Sequence, residues 1–212
     1  MYLASFKFEG KDRIGLRVGE DQIIDIVDVI NLMGDSWTGA KIPSNMLDLI
    51  EQQDELLPAL KKLEAKIPEL DIRKYSMDEI EWQPPVRRPG KIVGVAMNNS
   101  ASNARKLSSP DHPMFFTKPA SCLLGHNQDI EVRPYYGGLH PEPELAVIIG
   151  KKCRNLDPNK ALDAVFGYSI MNDVTGNAMR GEDMVHYYAL YASETHPDGV
   201  EKREQHLSYA AR

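Results

Sequence analysis

The sequence predicts a β-rich α+β fold, in which a small N-terminal α+β domain (residues 1–85) is followed by a mixed β-barrel or β-roll (residues 86–212). Many short apolar segments separated by glycine and proline turns, with few helical patterns, are typical of such a fold. The proline-rich stretch at residues 82–90 cannot continue a helix or a strand, so it marks the boundary between the two parts. A chain of 212 residues is long enough to bury a sizeable core.

The N-terminal part begins with three alternating segments, at residues 2–8, 14–18 and 22–26. Turn signals rich in glycine and acidic residues separate them, which predicts a β-meander. Ser44 is the expected N-cap of a helical stretch, because apolar residues recur at helical spacing after it. We expect this helix to break near Gln53 and Asp54.

The second part contains apolar segments that we interpret as strands, at residues 91–96, 113–121, 145–149 and 168–171. The segment 145–149 is apolar at every position, which predicts a strand buried on both faces. Asp157 is the expected N-cap of a short helix that has Pro158 at its first position and ends at Gly167.

Composition excludes several classes of function. The formal net charge of -6 and the pI of about 5.5 leave no basic face for nucleic acid. The N-terminus is interrupted by charge too early for a signal peptide, and no apolar run has membrane-spanning length, so we expect a cytoplasmic protein with no membrane partner. Cys122 and Cys153 fit a reducing compartment and are expected to be core or strand-edge thiols.

Two carboxylates, Glu142 and Glu144, stand at the beginning of the apolar segment 145–149. Side chains two residues apart on a strand point to the same face, where like charges repel and a bound cation would stabilise them. Asp173 supplies a third carboxylate at the end of the next apolar strand. All-oxygen ligands favour Mg²⁺, Mn²⁺ or Ca²⁺ over zinc. The alternative is that these acidic groups are simply solvated, as they commonly are beside a strand.

Four motifs occur in an order that resembles the fumarylacetoacetate hydrolase family, at residues 94–98, 116–121, 142–150 and 167–175. The resemblance covers essentially the whole chain. It implies a metal-dependent enzyme that acts on a 2-oxo or 1,3-dioxo acid through a metal-stabilised enolate, by C–C hydrolysis, decarboxylation, hydration or tautomerisation. It further implies Mg²⁺ or Mn²⁺ on Glu142, Glu144 and Asp173, and a homodimer. We expect Asn98, Arg105 and Lys118 to be substrate-binding residues.

The sequence departs from the family at the general base. Members of the family commonly carry a His and, three residues later, a Glu that activate water, whereas the matching positions here are Ser102 and Arg105. Neither side chain is a base at neutral pH, although the Arg105 guanidinium could hold a substrate carboxylate with two hydrogen bonds. Lys118 lies between Phe116 and Pro119, where it either faces the metal with a desolvated ammonium or packs its stem as a structural lysine.

The segment 176–212 is interpreted as a lid. His186, His196 and His206 within it are candidates for the missing base or simply solvated side chains, and His140 is expected on the Glu142 face, behind the metal ligands. The sequence ends about where the family's substrate-binding lysine motif would begin, so we expect a fragment or a shortened member. The leading hypothesis is a decarboxylase, hydratase, isomerase or tautomerase of 2-oxo acids, and the alternative is a catalytically impaired binding or dimer-partner subunit.

Overall fold

The computed structural model describes residues 1–34, 37, 41–64, 66–96, 98 and 114–179, together with two short strands at 194–195 and 201–202. The chain forms two compact units. The first comprises Met1–Pro89, Leu123–Ile130 and Glu144–Met171, and the second comprises Gly90–Cys122, Glu131–Pro143 and Asn172–Arg212. This grouping differs from the predicted division into residues 1–85 and 86–212, because segments of the second part pack on the N-terminal core.

The first unit contains a five-stranded antiparallel sheet with the order β4-β3-β2-β1-β5. Its strands are β1 Leu3–Phe8, β2 Lys11–Val18, β3 Gln22–Asp25, β4 Lys74–Ser76 and β5 Glu81–Gln83. The predicted meander is confirmed as β1, β2 and β3, and its two turns use Gly10 and Gly19 at positive φ. The strands β4 and β5 were not predicted, because three residues are too few to show an alternating pattern.

Within the described residues, three α-helices accompany this sheet: α1 Ile26–Met33, α2 Met46–Glu51 and α3 Gln53–Glu64. The predicted N-cap at Ser44 is wrong by one residue, because the Asn45 side chain accepts the backbone N–H of Leu47 and Asp48, while Ser44 hydrogen-bonds to the Asp48 carboxylate. The helical stretch breaks at Gln52, next to the predicted position. Helix α1 was not predicted.

The core of the first unit lies between the sheet and the helices. Its fully buried side chains are all apolar and include Leu16, Ile24, Ile26, Val29, Leu49, Leu56 and Leu60. Two later strands, β9 Pro143–Ile149 and β10 Val165–Asn172, pair with each other, and Ile148 and Phe166 pack against this core. The Gln53 side-chain amide also donates a hydrogen bond of 2.6 Å to the Gly150 carbonyl. These contacts explain why residues 144–171 group with the N-terminal part.

Two predictions about the segment that forms β9 and β10 are wrong. The Asp157-capped segment is a 3-10 helix over Pro158–Ala164, so the helix predicted to reach Gly167 ends earlier and Gly167 lies in β10. Burial on both faces of segment 145–149 is not found either: Leu145 is 70% exposed and Ile149 is 56% exposed. Only alternate residues of β9 turn toward the core, because the N-terminal core covers one face of the pair.

The described residues of the second unit form three strand pairs. They are β6 Ile92–Ala96 with β7 Met114–Lys118, β8 Leu139–His140 with β11 Thr175–Gly176, and β12 Glu194–Thr195 with β13 Glu201–Lys202. A 3-10 helix, Ala120–Cys122, follows β7. Cys122 and Cys153 are both exposed, so the expectation of core or strand-edge thiols is wrong. None of the helices that the structure describes has the length and apolar character needed to cross a membrane.

Candidate metal centre

The pair β6–β7 sets the position of Lys118. Ile92 lies opposite Lys118, and Gly94 lies opposite Phe116. Burial alternates along β7, so Phe116 and Lys118 share the partly buried face while Phe115 is exposed. A Cβ built on Gly94 would overlap the Phe116 ring. A side chain at residue 94 would displace this ring, which the glycine lets lie across the β6 backbone.

Residues 172–175 hold Glu142 from three directions. The Glu142 backbone N–H donates to the Asn172 side-chain oxygen at 3.0 Å, and the Glu142 carbonyl accepts the Asp173 N–H at 2.8 Å. The Thr175 hydroxyl donates to the Glu142 carboxylate at 3.2 Å. Pairing of β8 with β11, in which His140 lies opposite Thr175, brings the two segments together. Glu142 is thus fixed at both its backbone and its carboxylate.

Glu144 follows Glu142 on the chain with the burial pattern that strand alternation requires. Both glutamates are partly buried, whereas Pro143 and Leu145 are exposed. Glu144 lies in β9, whereas Glu142 precedes the first residue of that strand, Pro143. The role of the two carboxylates as paired ligands stays a prediction.

Asp173 is a buried carboxylate with 6% of its surface exposed. Its Oδ1 atom forms an ion pair with the Lys118 ammonium, and within the described part of the chain no regular hydrogen bond reaches this oxygen. Burying a carboxylate is costly unless a positive charge or hydrogen-bond donors compensate it. Lys118, whose side chain is 19% exposed, supplies that charge.

The donor chemistry of these residues fits a hard divalent cation. Carboxylate oxygens are the ligands that Mg²⁺, Mn²⁺ and Ca²⁺ prefer, and a buried carboxylate oxygen that accepts no regular hydrogen bond is suited to a cation. Among the described residues, however, no three His, Cys, Asp or Glu side chains stand close enough together to share an ion. The site formed by Glu142, Glu144 and Asp173 therefore stays a prediction.

The remaining predicted site residues are less informative. Asn98 is exposed and lies outside regular structure. Ser102 and Arg105 lie outside the described residues, as do His186, His196 and His206.

The expectation that His140 lies on the Glu142 face requires one continuous strand, but β8 ends at His140 and β9 begins at Pro143, and His140 is exposed. Sequence reasoning also missed Asn172 and Thr175 as supports for Glu142. Their short polar side chains on either side of Asp173 were the available signal.

Comparison with known proteins gives consistent results. Residues 91–196 match the family described as fumarylacetoacetate (FAA) hydrolase C-terminal. The oxaloacetate tautomerase YisK of Bacillus subtilis is 30% identical over 176 residues, which cover 79% of this chain and 58% of that protein.

Solved structures show the same fold. A fumarylacetoacetate hydrolase from Exiguobacterium antarcticum superposes with a TM-score of 0.62 at 25% identity, over 86% of this chain and 58% of that one. Maleylpyruvate hydrolase from Sphingobium sp. SYK-6, solved with manganese(II) and pyruvate, gives a TM-score of 0.57 at 29% identity, over 82% of this chain and 58% of that one. The chain spans about half the length of the curated relatives that it matches.

Proposed function

Because the chain belongs to the fumarylacetoacetate hydrolase family, we propose that it is a divalent-metal-dependent enzyme that tautomerises or decarboxylates a 2-oxo dicarboxylic acid of the oxaloacetate class. One observation carries the proposal. The segment bearing the buried Asp173 is tied to Glu142 by three hydrogen bonds, one between the two backbones and two through the Asn172 and Thr175 side chains, so two carboxylates that the sequence singles out as ligands lie on segments that are bonded to each other.

Glu142, Glu144 and Asp173 would hold Mg²⁺ or Mn²⁺ in this proposal. When bound, the metal would act as a Lewis acid on the 2-oxo group of the substrate. The protein itself positions the ligands. Thr175 and Asn172 fix the orientation of Glu142, and the Asp173 N–H donates a hydrogen bond to the Glu142 carbonyl. Ligands that are oriented in advance need no rearrangement when charge develops on the substrate.

The choice of reaction rests on Ser102 and Arg105. Hydrolysis of a C–C bond needs an activated water, and neither side chain can remove a proton from water at neutral pH. Tautomerisation moves one proton between a carbon and the 2-oxo oxygen and needs no attacking water. Similarity to an oxaloacetate tautomerase over 176 residues supports the same choice. A guanidinium at position 105 suits the second carboxylate of a dicarboxylic acid.

The test is a spectrophotometric assay of oxaloacetate enol loss and decarboxylation with Mg²⁺ or Mn²⁺, before and after chelation. Glu142→Gln and Asp173→Asn should abolish activity, and Glu131→Gln should leave it unchanged, because Glu131 is an exposed carboxylate of the same unit that pairs with Arg133. Full activity in Asp173→Asn would contradict the proposal. Ordinary enzymatic hydrolysis of an acylpyruvate by the unmodified protein would show that a base lies elsewhere.

The homodimer predicted from the resemblance is part of this proposal. Apolar side chains exposed on the strand pairs of each unit support it: Val93, Val95 and Phe115 in the second, and Leu145, Val147, Ile149, Tyr168 and Ile170 in the first. Light scattering at micromolar concentration should report twice the mass of one chain. A monodisperse monomer would contradict it.

A further inference from the structure

We propose that the Lys118 ammonium and a divalent metal ion compete for Asp173. In the metal-free protein Lys118 neutralises the buried carboxylate, and metal binding releases the ammonium from it. This inference rests on the proposed function, because it takes Asp173 as a metal ligand. It assigns Lys118 a role in metal loading that differs from both interpretations of the sequence.

The first step of the argument is the position of the ammonium. Lys118 contacts Asp173 Oδ1, an oxygen with essentially no exposed surface. A metal ion that binds this oxygen would lie beside the ammonium. A lysine ammonium and a divalent cation on one carboxylate oxygen would repel each other strongly, since the buried surroundings screen charge poorly.

The second step is that Lys118 can leave and Asp173 cannot. The Asp173 backbone is fixed by its hydrogen bond to the Glu142 carbonyl at 2.8 Å, and its side chain is short. Lys118 is the last residue of β7 and carries its charge on a flexible four-carbon stem. The ammonium can therefore move away while the pairing of β7 with β6 stays intact.

The third step is charge balance. The Glu142 carbonyl accepts the Asp173 N–H, and the three proposed ligands, Glu142, Glu144 and Asp173, together carry three negative charges when ionised. One ammonium offsets one of these charges, whereas a divalent ion offsets two. The carboxylates therefore favour exchange of Lys118 for a metal ion, and the ammonium stabilises the site until the exchange takes place.

The experiment measures Mn²⁺ affinity by calorimetry in the unmodified protein, in Lys118→Met and in Lys91→Met. Lys91 is the matched control, because it is an exposed lysine directly before Ile92, the residue paired with Lys118. Removing the competitor should tighten Mn²⁺ binding by about tenfold in Lys118→Met. The Lys91 variant should stay within about twofold of the unmodified protein, since general loss of charge acts weakly at an exposed site.

A second measurement needs no variant. Acetylation of lysine amines with acetic anhydride, read by mass spectrometry, should label Lys118 several times faster in saturating Mn²⁺ than after chelation, and Lys91 equally in both. This measurement decides the question if Lys118→Met fails to fold because Asp173 loses its counter-charge.

Two results together would overturn the proposed competition: Mn²⁺ binding that is unchanged or weaker in Lys118→Met, and labelling of Lys118 that does not respond to Mn²⁺. The proposed metal centre would not be affected by them. Absence of Mn²⁺ binding in both the unmodified protein and Lys118→Met would overturn the proposed metal centre itself.

Discussion

Among the described residues, each unit buries one aspartate, and the two carboxylates are held in different ways. Asp25 in the first unit is 3% exposed and Asp173 in the second is 6% exposed. Asp25 accepts the Val27 backbone N–H at 2.9 Å on one oxygen and the Arg13 guanidinium at 2.7 Å on the other. Asp173 Oδ1 is compensated by Lys118 through an ion pair.

The difference separates a structural carboxylate from one that can exchange its partner. A backbone N–H and an arginine from the neighbouring strand are rigid donors, so Asp25 caps α1 and ties β2 to the helix entrance. A lysine on a flexible stem is a partner that can be replaced. The two aspartates are similarly buried, so burial does not distinguish the structural role of Asp25 from the proposed ligand role of Asp173. The charged partner, Arg13 or Lys118, does.

The largest expected effect is that substitution of Asp173 changes Mn²⁺ affinity, whereas substitution of Asp25 changes stability. Asp173→Asn should weaken Mn²⁺ binding by at least about 100-fold while the protein stays folded, because a ligand is lost and Lys118 can turn to solvent. Asp25→Asn should retain Mn²⁺ binding but lower the free energy of unfolding by about 3 kcal/mol, because it strips Arg13 of its counter-charge. Calorimetry and urea unfolding of both variants measure this, and equal effects on both properties would remove the distinction.

A second prediction concerns the face that carries Lys118. Gly94→Ala would force the Phe116 ring out of its place, so we expect a loss of about 1–3 kcal/mol in the free energy of unfolding. Gly90→Ala is the control: a Cβ there meets no atom within 4 Å, and its effect should stay within about 0.5 kcal/mol. Urea unfolding measures both variants. An unaltered Gly94→Ala protein would show that the ring can move freely.

Much of the first unit could be predicted from its pattern. Strict alternation with glycine turns identified β1 to β3, because an isolated polar-apolar period of two has few other interpretations. Helix α1 was missed, since Ile23, Ile24 and Ile26 look like one continued strand while Asp25 ends β3 and caps the helix at once.

The candidate site was only partly predictable. Glu142, Glu144 and Asp173 are conspicuous, because the two glutamates stand at the start of one apolar run and the aspartate stands at the end of another. The pairing of Lys118 with Asp173 was not foreseen, because it depends on tertiary structure that brings distant segments together. Exposure of Leu145 was also missed: apolar character indicates that a residue can be buried, but not that anything covers it.

A third prediction tests whether the hydrogen bond that orients the Glu142 carboxylate contributes to Mn²⁺ affinity. Thr175→Val removes the hydroxyl that donates to the Glu142 carboxylate and changes the volume little, so Mn²⁺ affinity should fall about tenfold. Thr117→Val on the exposed face of β7 is the control and should leave the affinity unchanged. Calorimetry reports both values. Unaltered affinity in Thr175→Val would mean that the two hydrogen bonds at the Glu142 backbone N–H and carbonyl are enough to orient Glu142.

The smallest expected effect is a pH dependence of stability, in which Asp25 and the partly exposed Asp48 contribute slopes of opposite sign. Burial raises the pKa of Asp25 above its ordinary value of 3.8, although Arg13 and the Val27 N–H oppose the shift, whereas hydrogen bonds from Ser44 lower the pKa of Asp48. The folded state therefore holds the Asp25 proton more tightly than the unfolded chain does, and Asp25 contributes stability below the ordinary value that is lost as pH rises through its folded pKa. For Asp48 the contribution is present above the ordinary value and is lost as pH falls.

Urea unfolding between about pH 3 and about pH 6 should show these two slopes. The difference in unfolding free energy between the unmodified protein and Asp25→Asn should shrink as pH rises, and the difference for Asp48→Asn should grow. A difference for Asp25→Asn that grows with pH would mean that attraction to Arg13 outweighs the cost of burying the charge. Asp25 would then be held by a net favourable ion pair, and the contrast with Asp173 would rest on the flexibility of Lys118 alone.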